Sequence, residues 1–117
     1  FNQDGRVDLA VAQNDAAIVV LQNERARPGI RVVLKGVPTN PTGVGAHLRT
    51  IGPGDLRGPI RTVHAGSGWG SQDAMVQVLS TAQGPQSIWV GWPGGAEQTV
   101  PIPSGAQTVE VVHPGRR

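Results

Sequence analysis

Ile30-Arg31-Val32-Val33-Leu34-Lys35 is the stretch on which the fold turns. Ile30, Val32 and Leu34 alternate with Arg31, Val33 and Lys35, so an extended segment here has one apolar and one mixed face. Side chains of a strand point alternately to opposite faces, and this period of two marks a half-buried strand. The period returns along the chain. Val44, Ala46 and Leu48 alternate against Gly45, His47 and Arg49, while Met75, Gln77 and Leu79 oppose Val76 and Val78. Thr108, Glu110 and Val112 oppose Val109 and Val111. Strands are expected at residues 30–35, 44–51, 59–65, 74–80, 86–92, 97–102 and 106–112. Every connection contains Gly or Pro, and no long segment carries a helical period. The expectation is all-β: an antiparallel β-sandwich or jelly-roll-like module.

Upstream the pattern changes. Val7–Ala12 and the continuous apolar run Ala16–Leu21 read as a β-hairpin across a Gln13-Asn14-Asp15 turn. Glu24–Pro28 is a charged connector ending in Pro28-Gly29. The expected organisation is a hairpin unit at 1–23, a connector at 24–28, a sandwich module at 29–114 and a tail at 115–117. An incomplete two-stranded sheet with free edges is expected to pair with a partner, and a homo-oligomer through this hairpin is one route. The chain starts at Phe1 and shows no signal peptide, as expected of a C-terminal piece of a longer multidomain polypeptide.

Composition narrows the function classes. Ten basic and eight acidic residues leave a net charge of +2. The pI near 10.5 exaggerates this excess, because nine of the ten cations are Arg and do not titrate below high pH. The charges are scattered, so the clustered basic stripe that nucleic acid requires is missing. There is no cysteine, which excludes a disulfide scaffold and thiolate chemistry but not export, since many bacterial exported modules lack disulfides. No apolar run approaches the length of a membrane span, so no membrane insertion is expected.

Three motifs stand in a fixed order: Gly43-Val44-Gly45-Ala46, then His64-Ala65-Gly66-Ser67-Gly68-Trp69-Gly70-Ser71-Gln72-Asp73, then Trp92-Pro93-Gly94-Gly95. Over residues 29–114 this order resembles the ASPIC/UnbV domain, a small all-β module at the C-terminal end of extracellular proteins built from FG-GAP/VCBS repeats. The resemblance implies that Gly66, Ser67, Gly68, Trp69, Ser71 and Gln72 are hallmark positions. The family usually has Tyr or Phe where Trp69 stands. Residues 1–12 resemble the tail of an FG-GAP/VCBS repeat, whose Asp-x-Asn-x-Asp-Gly-x-x-Asp loop binds calcium. The matching ligands would be Asn2, Asp4 and Asp8, with the Arg6 carbonyl a further candidate. Alternating oxygen donors suit a hard cation such as Ca²⁺. The first Asp would precede Phe1 and no bidentate Glu follows, so a plain β-turn is the favoured reading of this truncated loop.

Three of the four aromatic residues are Trp. In Ser87–Trp92, Trp92 shares a face with Ile88 and Val90 and is expected in the core. Trp89 shares the other face with Ser87 and Gly91, and a flat indole between small residues suits stacking on a sugar ring. Trp69 is expected to be accessible among its glycines. Ser67, Ser71, Gln72 and Asp73 add hydroxyl, amide and carboxylate groups suited to sugar hydroxyls. The competing reading is that they satisfy the backbone of an irregular loop. His47, His64 and His113 lack metal-ligand spacing, and whether they converge is a question for the fold. No Gly-x-Ser-x-Gly elbow or marked carboxylate pair is present.

The expected function is a non-catalytic extracellular module, secreted or at the cell surface, that binds polysaccharide through Trp69, Trp89, Ser67, Ser71, Gln72 and Asp73. The alternatives are a structural or protein-interaction module packed on a β-propeller, and a metal-dependent enzyme using the histidines.

Overall fold

The computed structural model describes residues 2, 4–68, 71–82 and 84–116. In chain order the strands are β1 Leu9–Gln13, β2 Ala16–Leu21, β3 Ile30–Lys35, β4 His47–Ile51, β5 Arg61–Thr62, β6 Gln77–Leu79, β7 Ser87–Gly91, β8 Glu97–Pro101 and β9 Thr108–Val112. One 3-10 turn, Pro53–Asp55, follows β4. The fold is all-β, as the alternation predicts. Among the described residues no helix is long and apolar enough to cross a membrane.

Two sheets form the sandwich: three strands in the order β6-β3-β9 and four in the order β5-β4-β7-β8. Ile30, Val32 and Leu34 of β3, Leu79 of β6, and Val109 and Val111 of β9 are buried from the first sheet. Leu48 of β4 and Ile88 and Val90 of β7 are buried from the second, joined by Ala46, Val63 and Trp92. The buried residues form one continuous apolar cluster. Every strand beside a hairpin turn pairs antiparallel, but β3 and β9 run parallel, from Arg31 opposite Thr108 to Lys35 opposite Val112. Tight turns dictate antiparallel neighbours, whereas β3 and β9 are separated in the chain by the whole opposite sheet, which supplies the crossover a parallel pair needs. This pair departs from the expected all-antiparallel arrangement.

Several strands are shorter than their patterns. Residues 59–65 yield only Arg61–Thr62, and 74–80 only Gln77–Leu79. The flanking residues go into loops, although pairing continues past β5 through Val63 N–H to the Ala46 carbonyl at 2.9 Å. β5 and β8 are the edges of the larger sheet. Pro101, which has no N–H to give a ladder, is tolerated on such an edge.

The hairpin β1–β2 is a separate two-stranded sheet, and every residue in both strands is exposed. The chain's radius of gyration is 15.4 Å, against about 13 Å for a compact chain of this size. Leu9 lies opposite Leu21 and Val11 opposite Val19 on one face, with Ala10 opposite Val20 on the other.

Candidate functional site

Trp89 lies on the outer face of the four-stranded sheet. Its strand alternates half-buried and buried residues, with Ser87, Trp89 and Gly91 outward. Across the ladder it has Arg49 on β4 and Thr99 on β8 as neighbours, and the next row runs His47, Gly91, Glu97. The indole is half-buried because it leans over its own strand: a Cβ at Gly91 would come within 2.7 Å of Trp89 Cη2. Only glycine at 91 lets the ring lie so flat. Arg49 Nε donates to the Gly58 carbonyl at 2.9 Å, and His47 Nδ1 bonds Thr62 Oγ1 at 2.8 Å. The result is a shallow aromatic platform edged by charged and hydroxyl side chains.

Beside β5, the loop of residues 64–73 borders an open cleft of about 370 Å³ lined by Arg61, Thr62, His64, Ser67, Asp73 and Gln77. The loop is held by its own side chains. Ser67 Oγ accepts from the Asp73 N–H at 2.9 Å. Gln72 Oε1 accepts from the Gly66 N–H, while its Nε2 donates to the carbonyls of His64 and Asp73 at 3.2 and 2.9 Å. Ser71 sits over Gly68, where a Cβ would come 2.1 Å from the Ser71 hydroxyl. Ser67 and Gln72 therefore satisfy loop backbone, as short polar side chains in irregular segments often do. Asp73 and Ser71 are exposed. Trp69, the sixth expected ligand residue, lies outside the described residues. Thr62 borders this cleft and bonds His47 on the platform. Trp89 is not part of the cleft lining: strands sit about 4.8 Å apart, so it stands about 10 Å away in the sheet.

The other two motifs meet in the core. Gly43 takes a φ of +71° beneath the indole of Trp92, where a Cβ would lie 3.1 Å from Cζ3, and Gly45 packs against Pro93. Trp92 is 4% exposed, as its face-sharing with Ile88 and Val90 predicts. His113 packs edge-on against it, ring centroids 4.9 Å apart at 68°. No sequence pattern links positions 92 and 113; the parallel placement of β9 brings them together.

The calcium-loop candidates serve the connector in this arrangement. Asp4 accepts from the Arg6 N–H at 2.9 Å and pairs with its guanidinium at 3.1 Å. The Arg6 N–H beside Asp4 holds its carboxyl below the ordinary value of 3.8, against partial desolvation and with help from the side chains of Arg6 and Asn2. Asp8 accepts from the Asn23 N–H at 2.8 Å, Arg6 Nε donates to the Ala26 carbonyl, and the Gly29 N–H reaches the Gly5 carbonyl. Among the described residues no group of three His, Asp or Glu side chains is placed to hold a metal ion. His47 is tied to Thr62, His64 lines the cleft and His113 meets Trp92 edge-on, so the three histidines occupy separate places.

The sequence profile of the family described as ASPIC and UnbV matches residues 36–117, more than two thirds of the chain. The chain belongs to the ASPIC and UnbV family. This family is generally found in extracellular proteins. The ASPIC and UnbV match takes in all three motifs and begins just after β3, yet β3 is the central strand of the three-stranded sheet. No curated protein and no solved structure matches the chain.

Proposed function

We propose that this ASPIC and UnbV chain is a non-catalytic extracellular module that docks into a β-structured partner through the β1–β2 ribbon. The observation that carries this reading is the ribbon's two apolar faces, both open. Ile18 is 68% exposed, Val20 57% and Leu9 56%. From Leu9 to Leu21 the only charged residue is Asp15, in the turn. Soluble monomers rarely leave such a contiguous apolar surface open, and free strand edges add main-chain donors and acceptors. A partner that layers apolar side chains over both faces, as a propeller blade or second sheet does, satisfies the ribbon fully. A second copy stacked on one face would leave the other in water.

The test uses the chain as it is. Wild type is expected to bind a hydrophobic dye and to self-associate at high concentration in light scattering. Ile18→Lys with Val19→Lys, which puts one charge on each face, is expected to abolish both while the sandwich still melts cooperatively. A wild type that binds no dye and stays monomeric throughout sinks the reading.

Trp89 favours a second reading, polysaccharide binding on the outer sheet face. A pyranose C–H face packs on an open aromatic ring, and Arg49, Thr99 and His47 supply hydroxyl partners around it. In a pull-down on insoluble polysaccharides, retention of wild type and its loss in Trp89→Ala supports this reading. Equal retention of both proteins excludes Trp89 as the platform.

A further inference from the structure

Trp89 has two unlike flanks. On the β4 side its ladder partner is Arg49, and His47 stands in the next row. Both are drawn toward β5, away from the ring. Arg49 Nε donates to the Gly58 carbonyl, and Gly58 runs along the edge of β4 that β7 leaves open, its own N–H on the Thr50 carbonyl at 2.9 Å. His47 Nδ1 bonds Thr62 Oγ1 on β5 itself.

On the β8 side the neighbours are Thr99, opposite Trp89, and Glu97, opposite Gly91. Both are exposed and share the outward face of their strand. Among the described residues neither side chain has a hydrogen bond or an ion pair. The indole leans over Gly91, so its Cη2 end lies in the row that Glu97 flanks. Directly opposed positions on paired strands are about 5 Å apart at Cβ, within reach of one sugar ring. Residues 96–102 contain no Lys, Arg or His. Arg49 stands two strands from Glu97, about 10 Å away in the sheet. An aromatic face with an unspent carboxylate at its edge attracts positive charge twice over, through the ring quadrupole and through the carboxylate.

We infer that the Trp89 platform selects an amino sugar, its pyranose ring stacked on the indole and its protonated amino group on Glu97. The inference rests on the polysaccharide reading of Trp89 and adds the sugar class to it. A platform built for stacking alone takes any pyranose with an open C–H face, whereas Glu97 favours a cationic sugar and disfavours uronic or sulfated ones.

The experiment is calorimetric titration of the whole chain at about pH 6, where amines of this kind are protonated. Three β-1,4-linked tetrasaccharides are compared, of glucosamine, N-acetylglucosamine and glucose. The glucosamine tetramer is expected to bind about threefold more tightly than either neutral one, the worth of one exposed ion pair, and added salt is expected to close the margin. Glu97→Gln is expected to bring all three to one affinity, and Trp89→Ala to abolish binding of each. A neutral tetramer held through Trp89 as tightly as the glucosamine tetramer overturns the amino-sugar assignment while the platform stands. A margin that survives Glu97→Gln overturns it too. Wild type that binds none of the three brings down the platform reading itself.

Discussion

Strands β2 and β3 are both six residues long and rich in Val, Ile and Leu, yet one is wholly exposed and the other alternates buried with half-buried. β3 interleaves its apolar residues with Arg31, Val33 and Lys35, so one sheet face satisfies it and its own chain provides that face. Ala16-Ala17-Ile18-Val19-Val20-Leu21 has no polar face to give to water. Such a strand needs a cover on each side, as strands buried on both faces do. A chain that builds one sandwich has no further layer to spare for it. The comparison separates a region whose strands cover one another from a region whose apolar faces stay uncovered.

The largest effect should come from the core. Leu48→Ala is expected to lower unfolding free energy by about 3 kcal/mol, whereas Ile18→Ala changes it by less than about 0.5 kcal/mol in the isolated chain. Urea melts of both variants check the pair, and equal losses would erase the contrast. Next, Gly43→Ala forces a side chain into a φ of +71° against Trp92. About 2 kcal/mol of destabilisation is expected, read as a lowered melting temperature. A neutral result would mean that the two motifs do not brace one another.

Gln72→Ala removes three bonds within an exposed loop. Exposure to water holds the cost to about 1 kcal/mol. Hydrogen exchange at Gly66 is expected to accelerate while β3 and β7 amides stay protected. The smallest effect concerns Asp4, whose carboxyl is held below 3.8 chiefly by the Arg6 N–H. A carboxylate with a lowered folded pKa contributes stability that is complete above its unfolded value and lost as the pH falls through the folded one. NMR titration should place the Asp4 midpoint below 3.8, and Arg6→Gln should raise it only part-way because the backbone donor remains. A full return to the ordinary value would assign the shift to the guanidinium instead.

Much of this was legible beforehand. The period of two located the seven sandwich strands, a continuous apolar run beside the Gln13-Asn14-Asp15 turn marked the hairpin, and the face shared by Ile88, Val90 and Trp92 identified the core indole. Strand ends were less legible, because whether residues near 60 or 75 join a ladder depends on the partner strand's register. The polar loop was legible as a motif but not as a division of labour. Only the fold reveals that Ser67 and Gln72 tie the backbone while Asp73 and His64 border a cleft. The parallel β3–β9 pair had no local signature, since no turn joins the two strands.

By itself, the sequence determined an all-β chain, its strand faces and its unusual all-apolar hairpin, because side-chain alternation is a local property of an extended backbone. The tertiary structure alone decided which sheet each strand entered, the meeting of Trp92 with His113, and the absence of Trp89 from the lining of the cleft beside β5. Those outcomes depend on pairing between residues far apart in the chain, and local alternation carries no record of it.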